Sequence, residues 1–269
     1  MNEYYFEFTV TPKNDLEIFS SFLLEVTNNA LEEKNGSLIV RSSESLDDIE
    51  WATKQLSQKL QIPIKTKLLK LKNEDWISKY QNSIKPIEVG SFYIRPEWKK
   101  EKLNLTNIII NPALAFGSGH HESTSSCLLC IDKYVKFDFT LLDVGCGSGI
   151  LAIAGEKKGA IVDICDTDEV SIKSSIDNFN LNNSKINKLW TGSANMSEMQ
   201  YDVVLANIIA DVIIMINKDL KLSVKRGGIL ILSGIINKYF DSIIQKFYDF
   251  EVIETIQKEE WHTLVLRKI

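Results

Sequence analysis

The segment LLDVGCGSGILAI, residues Leu141 to Ile153, decides the fold class. Its first part is an apolar run of the kind that forms a buried strand, and it stops at three glycines, Gly145, Gly147 and Gly149. An apolar pattern with helical spacing follows at once. Glycines between a strand and a helix let backbone N–H groups approach a ligand closely at the carboxyl end of the strand. The segment therefore predicts a nucleotide-binding loop in a doubly wound α/β domain.

Two carboxylates near this loop narrow the class of nucleotide. Asp166 ends the next predicted strand, where a carboxylate can accept hydrogen bonds from both hydroxyls of a ribose. The glycine spacing is G-x-G-x-G rather than the G-x-G-x-x-G of dinucleotide loops, which favours a ligand without a pyrophosphate. Asp143, just ahead of the loop, suits a cationic ligand such as one that carries an ammonium and a sulfonium group. Together these features indicate an adenosyl ligand.

The chain on either side of this loop divides into two patterns. The start reads strand, helix, a hairpin about Asn35-Gly36, a second helix and a last strand, which is the βαββαβ order of a ferredoxin-like domain. Further on, strands and helices alternate, which predicts a mostly parallel sheet that ends in an antiparallel hairpin. We therefore predict a ferredoxin-like domain over residues 1–70, a linker over 71–90 and a larger α/β domain over 91–269.

The net charge of −5 lies entirely in residues 1–65, which hold six Lys and Arg but eleven Asp and Glu residues. Phosphate binding relies on Lys and Arg, so this acidic module favours a basic protein over nucleic acid as its direct partner. An ordinary solvated acidic face is the alternative. No stretch approaches the roughly 18 to 20 apolar residues of a membrane span, and the first residues do not resemble a signal peptide. We expect a cytoplasmic monomer with no membrane or nucleic-acid partner.

The four cysteines are candidates for a metal or redox site. Cys127 and Cys130 form a C-x-x-C pattern, but they lie in a segment with helical apolar spacing and no second Cys/His cluster nearby. That context favours packing over metal binding. Cys146 lies within the glycine loop, where a small side chain is needed. We expect reduced thiols and no metal site.

The quoted motifs resemble a known family. DVGCGSG with the downstream CDTDEV is similar to the cofactor signature of class I S-adenosylmethionine-dependent methyltransferases. NPALAFGSGHHEST, DVVLANIIADVI, KEEWHTLVLRK and the linker NEDWISKYQNSIKPIEVG resemble segments of bacterial ribosomal protein L-eleven (L11) methyltransferases. The likeness runs from about residue 73 onward, whereas the N-terminal module matches in size and plan. It implies that residues 91–269 are the catalytic domain, a Rossmann-like seven-stranded class I methyltransferase domain with an antiparallel last strand. It also implies that the small ferredoxin-like α+β domain before it, residues 1–70, is a substrate-recognition domain.

The resemblance also implies a cofactor and its contacts. Thr124, Gly145, Asp166 and Asn207 match positions at which the family holds S-adenosyl-L-methionine, whose product is S-adenosyl-L-homocysteine. Ser193 lies where a contact with the adenine edge is expected. With the loop residues, the predicted cofactor-binding set is Thr124, Asp143, Gly145, Gly147, Gly149, Asp166, Ser193 and Asn207.

Methyl transfer from a sulfonium to an amine is an in-line displacement, in which positioning and desolvation matter most. The segment NIIA, Asn207 to Ala210, lacks the N-P-P-Y tetrad of methyltransferases that hold planar amides, which favours a tetrahedral amine as acceptor. Asn207 is the candidate catalytic residue, since its side-chain oxygen can accept a hydrogen bond from that amine; a cap at a strand end is the alternative. His121 is either a base or a residue that orders its turn. We predict no indispensable acid or base.

The resemblance implies a protein N-methyltransferase that methylates lysine side-chain and N-terminal amines of ribosomal protein L11. Two alternatives stay open. One is a class I methyltransferase that acts on another protein or a small amine, and the other is a non-catalytic sensor of an adenosyl ligand. Transfer of a labelled methyl group to a candidate substrate separates an enzyme from a sensor.

Overall fold

The computed structural model of the chain describes residues 4–27, 31–72, 84–111, 119 and 121–269. The chain divides into two compact units, with the boundary between Ile84 and Lys85. Much of the predicted linker, residues 73–83, lies outside the described residues. Its last part belongs to the second unit, because Ile87–Val89 pairs there as a strand.

The first unit is a four-stranded antiparallel sheet with two helices. Its elements are β1 (Tyr4–Pro12), α1 (Leu16–Thr27), β2 (Leu31–Lys34), β3 (Ser37–Ser42), α2 (Asp47–Leu60) and β4 (Ile64–Lys72). The strand order is β2-β3-β1-β4. Asn35 and Gly36 join β2 to β3 with φ of 52° and 72°, the backbone that a tight hairpin turn requires. Alternate residues of β1 and β3 are fully buried against the helices, among them Phe8, Val10 and Val40.

The second unit contains a seven-stranded sheet in the order β10-β9-β8-β11-β12-β14-β13. The strands of this unit are β5 (Ile87–Val89), β6 (Phe92–Arg95), β7 (Thr106–Ile109), β8 (Thr140–Val144), β9 (Ile161–Asp166), β10 (Lys188–Thr191), β11 (Tyr201–Asn207), β12 (Val224–Ile236), β13 (Phe250–Lys258) and β14 (Trp261–Lys268). The helices are α3 (Glu122–Tyr134), α4 (Ile150–Lys157), α5 (Glu169–Leu181), α6 (Ala210–Met215), α7 (Asn217–Ser223) and α8 (Phe240–Lys246). Strands β8 to β12 pair in parallel, and β14 is antiparallel to β12 and β13. The predicted mostly parallel sheet with an antiparallel last strand is confirmed.

The second unit also contains a smaller sheet. Strands β6 and β7 do not join the large sheet but pair with β5 in a separate three-stranded sheet. Their apolar side chains Phe92, Ile94 and Ile108 pack into the same core as residues of α3 and α4. The small sheet therefore covers helices on one face of the large sheet.

The large sheet is buried on both faces, as expected for parallel strands covered by helices. Along β11, Val203 and Leu205 belong to one apolar core, and the intervening Val204 and Ala206 belong to the other. The carboxyl ends of β8, β9 and β11 consequently meet at one protected edge, where open α/β sheets bind their ligands. Among the described helices, none is both long and apolar enough to cross a membrane.

Candidate functional site

The glycine loop links β8 to α4 in a backbone conformation that favours glycine. Gly145, Gly147 and Gly149 have φ of 74°, 53° and 78°, a region that costs free energy for residues with a β-carbon. The N–H of Gly145 donates to the carbonyl oxygen of Cys165 at 2.8 Å, which ties the loop to the end of β9. A β-carbon at Gly145 would lie 2.4 Å from Cγ2 of Ile208. The first glycine thus serves both the turn and a close contact with the residue after β11.

Asp166 ends β9 beside this loop, and backbone donors hold both of its carboxylate oxygens. The N–H of Gly147 donates to Oδ2 and the N–H of Asp168 donates to Oδ1, each at 3.0 Å. Asp168 in turn caps α5 by accepting hydrogen bonds from Val170 and Ser171. The carboxylate is therefore fixed in one orientation at the carboxyl end of the sheet, and each oxygen keeps a lone pair for a ligand.

A cavity of about 430 Å³ opens at this edge of the sheet. It lies within the size range of small-molecule and cofactor sites. Five of the predicted cofactor-binding residues line it, namely Gly145, Gly147, Asp166, Ser193 and Asn207. The glycine loop, the carboxylate of Asp166 and the end of β11 thus meet at one cavity.

Residues that the sequence did not single out for the ligand also line this cavity. They are mainly apolar side chains after β11, with an aromatic residue at the start of β14: Ile208, Ile209, Val212, Ile216 and Trp261. Apolar residues on a helix give no signal that separates a ligand wall from ordinary packing. Gly234 in β12 lines the cavity too; its φ is 80°, and a β-carbon there would lie 2.4 Å from the carbonyl oxygen of Ile208.

The partly exposed Asn207 and the buried Thr124 form a hydrogen-bonded pair at the end of β11. Nδ2 of Asn207 donates to Oγ1 of Thr124 at 3.2 Å. Oδ1 of Asn207 is buried and has no hydrogen-bond partner among the described residues. Thr124 is fully buried and does not line the cavity. The structure therefore places the threonine side chain behind Asn207, outside the lining of the cavity.

Asp143 and Gly149 are the other predicted residues that do not line the cavity. Asp143 is only 1% exposed. Its Oδ2 accepts a hydrogen bond from the N–H of Ala152 at 3.2 Å, and Oδ1 has no partner within the described ranges. Burial, reinforced by the charge of Asp166, raises the pKa of Asp143 to about 7 against the opposing effect of that single hydrogen bond. A β-carbon at Gly149 would contact Ser175, so this glycine permits packing of α4 on α5.

His121 caps the amino terminus of α3 and also lines the cavity. Its Nδ1 accepts a hydrogen bond from the N–H of Ser123 at 3.3 Å, and its ring meets the ring of Trp261 edge to face at 4.7 Å. These contacts support the interpretation that His121 orders its turn. Most of the preceding motif, residues 112–118 and His120, lies outside the described residues.

The four cysteines are all buried and free. Burial raises the pKa of the Cys130 and Cys165 thiols to about 12, and it raises the pKa of Cys127 and Cys146 as well. Thiols with such pKa values stay protonated and unreactive at neutral pH. In the described ranges, no group of three or more His, Cys, Asp or Glu side chains is placed to hold a metal ion.

Comparison with known proteins decides the family. The family model described as Ribosomal protein L11 methyltransferase (PrmA) matches residues 14–269. The chain belongs to the ribosomal protein L11 methyltransferase family. It is 50% identical over 273 residues to the ribosomal protein L11 methyltransferase of a Nitratiruptor species, covering 99% of this chain and 97% of the relative. It is 44% identical over 274 residues to that of Wolinella succinogenes, covering 100% of both chains.

Solved structures share the fold of this chain over part of its length. A crystal structure of ribosomal protein L11 methylase from Lactobacillus delbrueckii subsp. bulgaricus superposes with a TM-score of 0.64 at 29% identity, covering 68% of this chain and 99% of that chain. The T. thermophilus 16S rRNA N2 G1207 methyltransferase, in complex with AdoMet and guanosine, has a TM-score of 0.50 at 21% identity and covers 58% of this chain and 45% of that one. The resemblance to class I methyltransferases is confirmed.

Proposed function

We propose that this chain methylates lysine side-chain and N-terminal amines of ribosomal protein L11, with S-adenosyl-L-methionine as the methyl donor. The observation that carries the proposal is Asp166 at the edge of the cavity, fixed by Gly147 and beside the glycine loop. Membership in the family and the names of the relatives support the choice of L11. When bound, the cofactor supplies an electrophilic methyl group on a sulfonium.

The residues present fit an adenosyl cofactor. Asp166 keeps lone pairs for the two ribose hydroxyls, and Ser193 is available at the same cavity for the adenine edge. Val212 and Ile216 supply apolar surface for the adenine ring. The backbone of Gly145 and Gly147 leaves room for the methionine part, because no β-carbon stands in the way.

The same cavity suits an amine as methyl acceptor. A free lysine amine has a pKa of about 10.4 and must be neutral to attack. Apolar walls from residues such as Ile208 and Trp261 exclude water and disfavour the charged form of a buried amine. Asn207 offers an acceptor oxygen for an N–H of the neutral amine. We propose that positioning and desolvation of the amine, without a dedicated base, account for the rate of methyl transfer.

Intact-mass spectrometry tests this proposal. Purified unmethylated L11, incubated with enzyme and S-adenosyl-L-methionine, should gain the mass of one or more methyl groups, and peptide mapping should place them on amines. L11 whose amines have been blocked chemically is the control and should gain nothing. A sensor would bind the cofactor and transfer no methyl group. An enzyme for another substrate would leave L11 unchanged yet label a different protein or small amine.

We further propose that the first unit, with its β2-β3-β1-β4 strand order, is a ferredoxin-like domain that captures L11. Ribosomal proteins are typically basic, so an acidic surface speeds their encounter and orients them. Glu44, Asp47 and Asp48 are exposed at the start of α2. Glu50 contributes less, because Nζ of Lys54 lies 2.8 Å from its carboxylate.

Charge reversal in the full-length chain tests this capture role. Replacing Glu44, Asp47 and Asp48 by lysine should raise the KM for L11 by about tenfold at low salt and leave S-adenosyl-L-homocysteine binding unchanged. The effect should shrink as salt is added. A matched triple reversal in the second unit, at exposed acidic residues of that unit, controls for net charge: Glu101, Asp241 and Glu259. Equal effects of the two triple variants on the KM would mean that the acidic residues of the first unit form only a solvated face and do not capture L11.

A further inference from the structure

Two buried side chains of α5 hold backbone carbonyl groups of the glycine loop. Oγ of Ser175 donates to the carbonyl oxygen of Gly147 at 2.9 Å, and Nδ2 of Asn178 donates to that of Ser148 at 2.8 Å. Ser175 is fully buried, Asn178 is 1% exposed, and neither side chain lines the cavity. Both side chains therefore contact the loop without taking up space that a ligand would fill.

These contacts fix Gly147 through both of its backbone polar groups. Its N–H donates to Oδ2 of Asp166 at 3.0 Å, and its carbonyl oxygen accepts the hydrogen bond from Ser175. Glycine otherwise has the widest choice of backbone conformations of any residue. Because the N–H of Gly147 also orients the carboxylate of Asp166, the hydroxyl of Ser175 acts on the proposed ribose contact through a single intervening residue.

Asn178 joins the glycine loop to a second segment of the chain. Its Oδ1 accepts a hydrogen bond from the N–H of Asn111, two residues after β7, at 3.0 Å. Strand β7 lies at an edge of the small sheet, so backbone groups on its outer side need partners other than a strand. One amide thus bridges the loop and the end of the small sheet, with its donor on the loop and its acceptor on the segment after β7.

Asn182, one turn further along at the C-cap of α5, has similar contacts but does not reach the loop. Its Oδ1 accepts a hydrogen bond from the N–H of Ile109 at 2.7 Å. Its Nδ2 donates to the carbonyl oxygens of Ile109 and Asn178, at 2.6 Å and 2.8 Å. Asn182 is buried as well. The two asparagines share an attachment to the chain around β7, and they differ in that Asn178 also holds the glycine loop.

We infer that Ser175 and Asn178 are positioning residues, which hold the glycine loop in its ligand-binding conformation before S-adenosyl-L-methionine arrives. The inference rests on the proposed function, since it requires that the cavity takes this cofactor. A loop without these contacts would have to be ordered by the ligand, and that ordering would subtract from the affinity. Once the ligand is bound, we expect the loop to have the same geometry. The two side chains should therefore govern the affinity for the cofactor and not the rate of methyl transfer at saturation.

Asn178→Leu removes the amide, keeps a branched side chain of similar length and tests the inference. We expect the dissociation constant of S-adenosyl-L-homocysteine, measured by calorimetry, to rise about tenfold. The kcat at saturating S-adenosyl-L-methionine should stay within about twofold of wild type. Asn182→Leu is the matched control, because it removes an amide that also holds the chain around β7. It should lower the melting temperature as well, yet leave the dissociation constant unchanged within about twofold.

Ser175→Ala tests the same loop with a smaller change, and its result decides the matter if Asn178→Leu does not fold. Losing this one hydroxyl should raise the dissociation constant of S-adenosyl-L-homocysteine about threefold to tenfold, again at unchanged kcat. Ser223→Ala is the control, because Ser223 is also buried but its hydroxyl donates to the carbonyl oxygen of Asp219 within α7. That control variant should bind the ligand as wild type does.

Three results would overturn the inference. They are equal losses of affinity in Asn178→Leu and Asn182→Leu, an unchanged dissociation constant in Ser175→Ala, and a fall in kcat at saturating cofactor that accompanies unchanged affinity. The first of these would mean that the asparagines only stabilise the packing of α5 on the chain around β7. Wild-type protein that binds no S-adenosyl-L-homocysteine would instead defeat the proposed function, since every comparison here starts from a wild type that binds this ligand.

Discussion

The two sides of the glycine loop carry carboxylates on adjacent parallel strands, and the two environments differ sharply. Asp166, at the end of β9, lines the cavity and accepts backbone hydrogen bonds on both oxygens. Asp143, near the end of β8, is buried away from the cavity with one oxygen unpartnered among the described residues. In the sequence both are acidic residues close to a nucleotide loop. In the structure only Asp166 lines the cavity.

The difference shows that a position beside the loop is not enough to make a ligand contact. Asp143 lies on the same face of β8 as Leu141, beneath the first turns of α4, and its partner is the N–H of Ala152 in that helix. Asp166 lies beyond the last paired residue of β9 with β8, beside the loop itself. The position along the strand, within the pairing of β8 with β9 or beyond its last pair, therefore separates the two environments.

The largest expected effect is on the stability of an Asp143→Asn variant. The folded pKa of Asp143 is about 7 and lies above the usual value of 3.8. The unfolded chain thus releases this proton first, and wild type loses stability as pH rises from the lower value to the higher one. Asparagine has no charge to bury. Its advantage in free energy of unfolding should grow by about 3 kcal/mol between pH 5 and pH 8 and then level off.

Urea denaturation of both proteins across this pH range measures the difference. Asp168→Asn is the control, because Asp168 is exposed and lies in the same region. A constant difference between Asp143→Asn and wild type would mean that the carboxylate is ionised throughout and has a cationic partner. Calorimetry of the same variant should then show weakened binding of S-adenosyl-L-homocysteine, in contrast to the unchanged affinity that we expect.

A smaller effect is expected for Asp166→Ala, and it should appear in binding rather than in pH-dependent stability. Removing the carboxylate leaves the ribose hydroxyls and the N–H of Gly147 without their acceptor. Each such loss costs about 1 to 3 kcal/mol, so the affinity for S-adenosyl-L-homocysteine should fall by between about fivefold and about a hundredfold. Calorimetry with wild type, Asp166→Ala and Asp143→Asn directly compares what the two carboxylates contribute to ligand affinity. Equal losses of affinity in both variants would contradict the different roles that we assign to Asp166 and Asp143.

The parts of the fold that depend on short-range pattern were predictable. The sequence predicts a strand that stops at Gly145 and a hairpin about Asn35-Gly36, and the structure has both. Their apolar residues lie within a few positions of one another and are flanked by turn residues. The assignment of β6 and β7 to a second sheet was not predictable, because strand pairing depends on contacts between distant segments.

The same division applies to the candidate site. Gly145 and Asp166 follow predicted strands directly, so their place at the carboxyl edge could be deduced from the strands. Trp261 and Gly234 reach the cavity from β14 and the bulge in β12, and no local sequence pattern predicts these positions. The burial of Thr124 behind Asn207 depends on how α3 sits against β11, which spacing along the chain does not encode.

The smallest expected effect concerns Gly145, where the loop contacts the residue after β11. Gly145→Ala places a side chain at a φ of 74° and brings its β-carbon to 2.4 Å from Cγ2 of Ile208. The backbone part should cost about 1 to 2 kcal/mol of stability. The crowding part should push Ile208, a cavity residue, and weaken S-adenosyl-L-homocysteine binding about threefold to tenfold, as expected for a distortion worth about 1 kcal/mol.

Gly227→Ala separates these two parts. Gly227 has a φ of 77°, but a β-carbon there meets no atom within 4 Å. It should therefore lose a similar free energy of unfolding and keep its full affinity for the cofactor product. If Gly145→Ala and Gly227→Ala bind S-adenosyl-L-homocysteine equally well, the close approach of Ile208 to the loop does not shape the ligand site. The cavity side of the loop would then depend on Asp166 and its backbone donors, with Ile208 only filling space beside them.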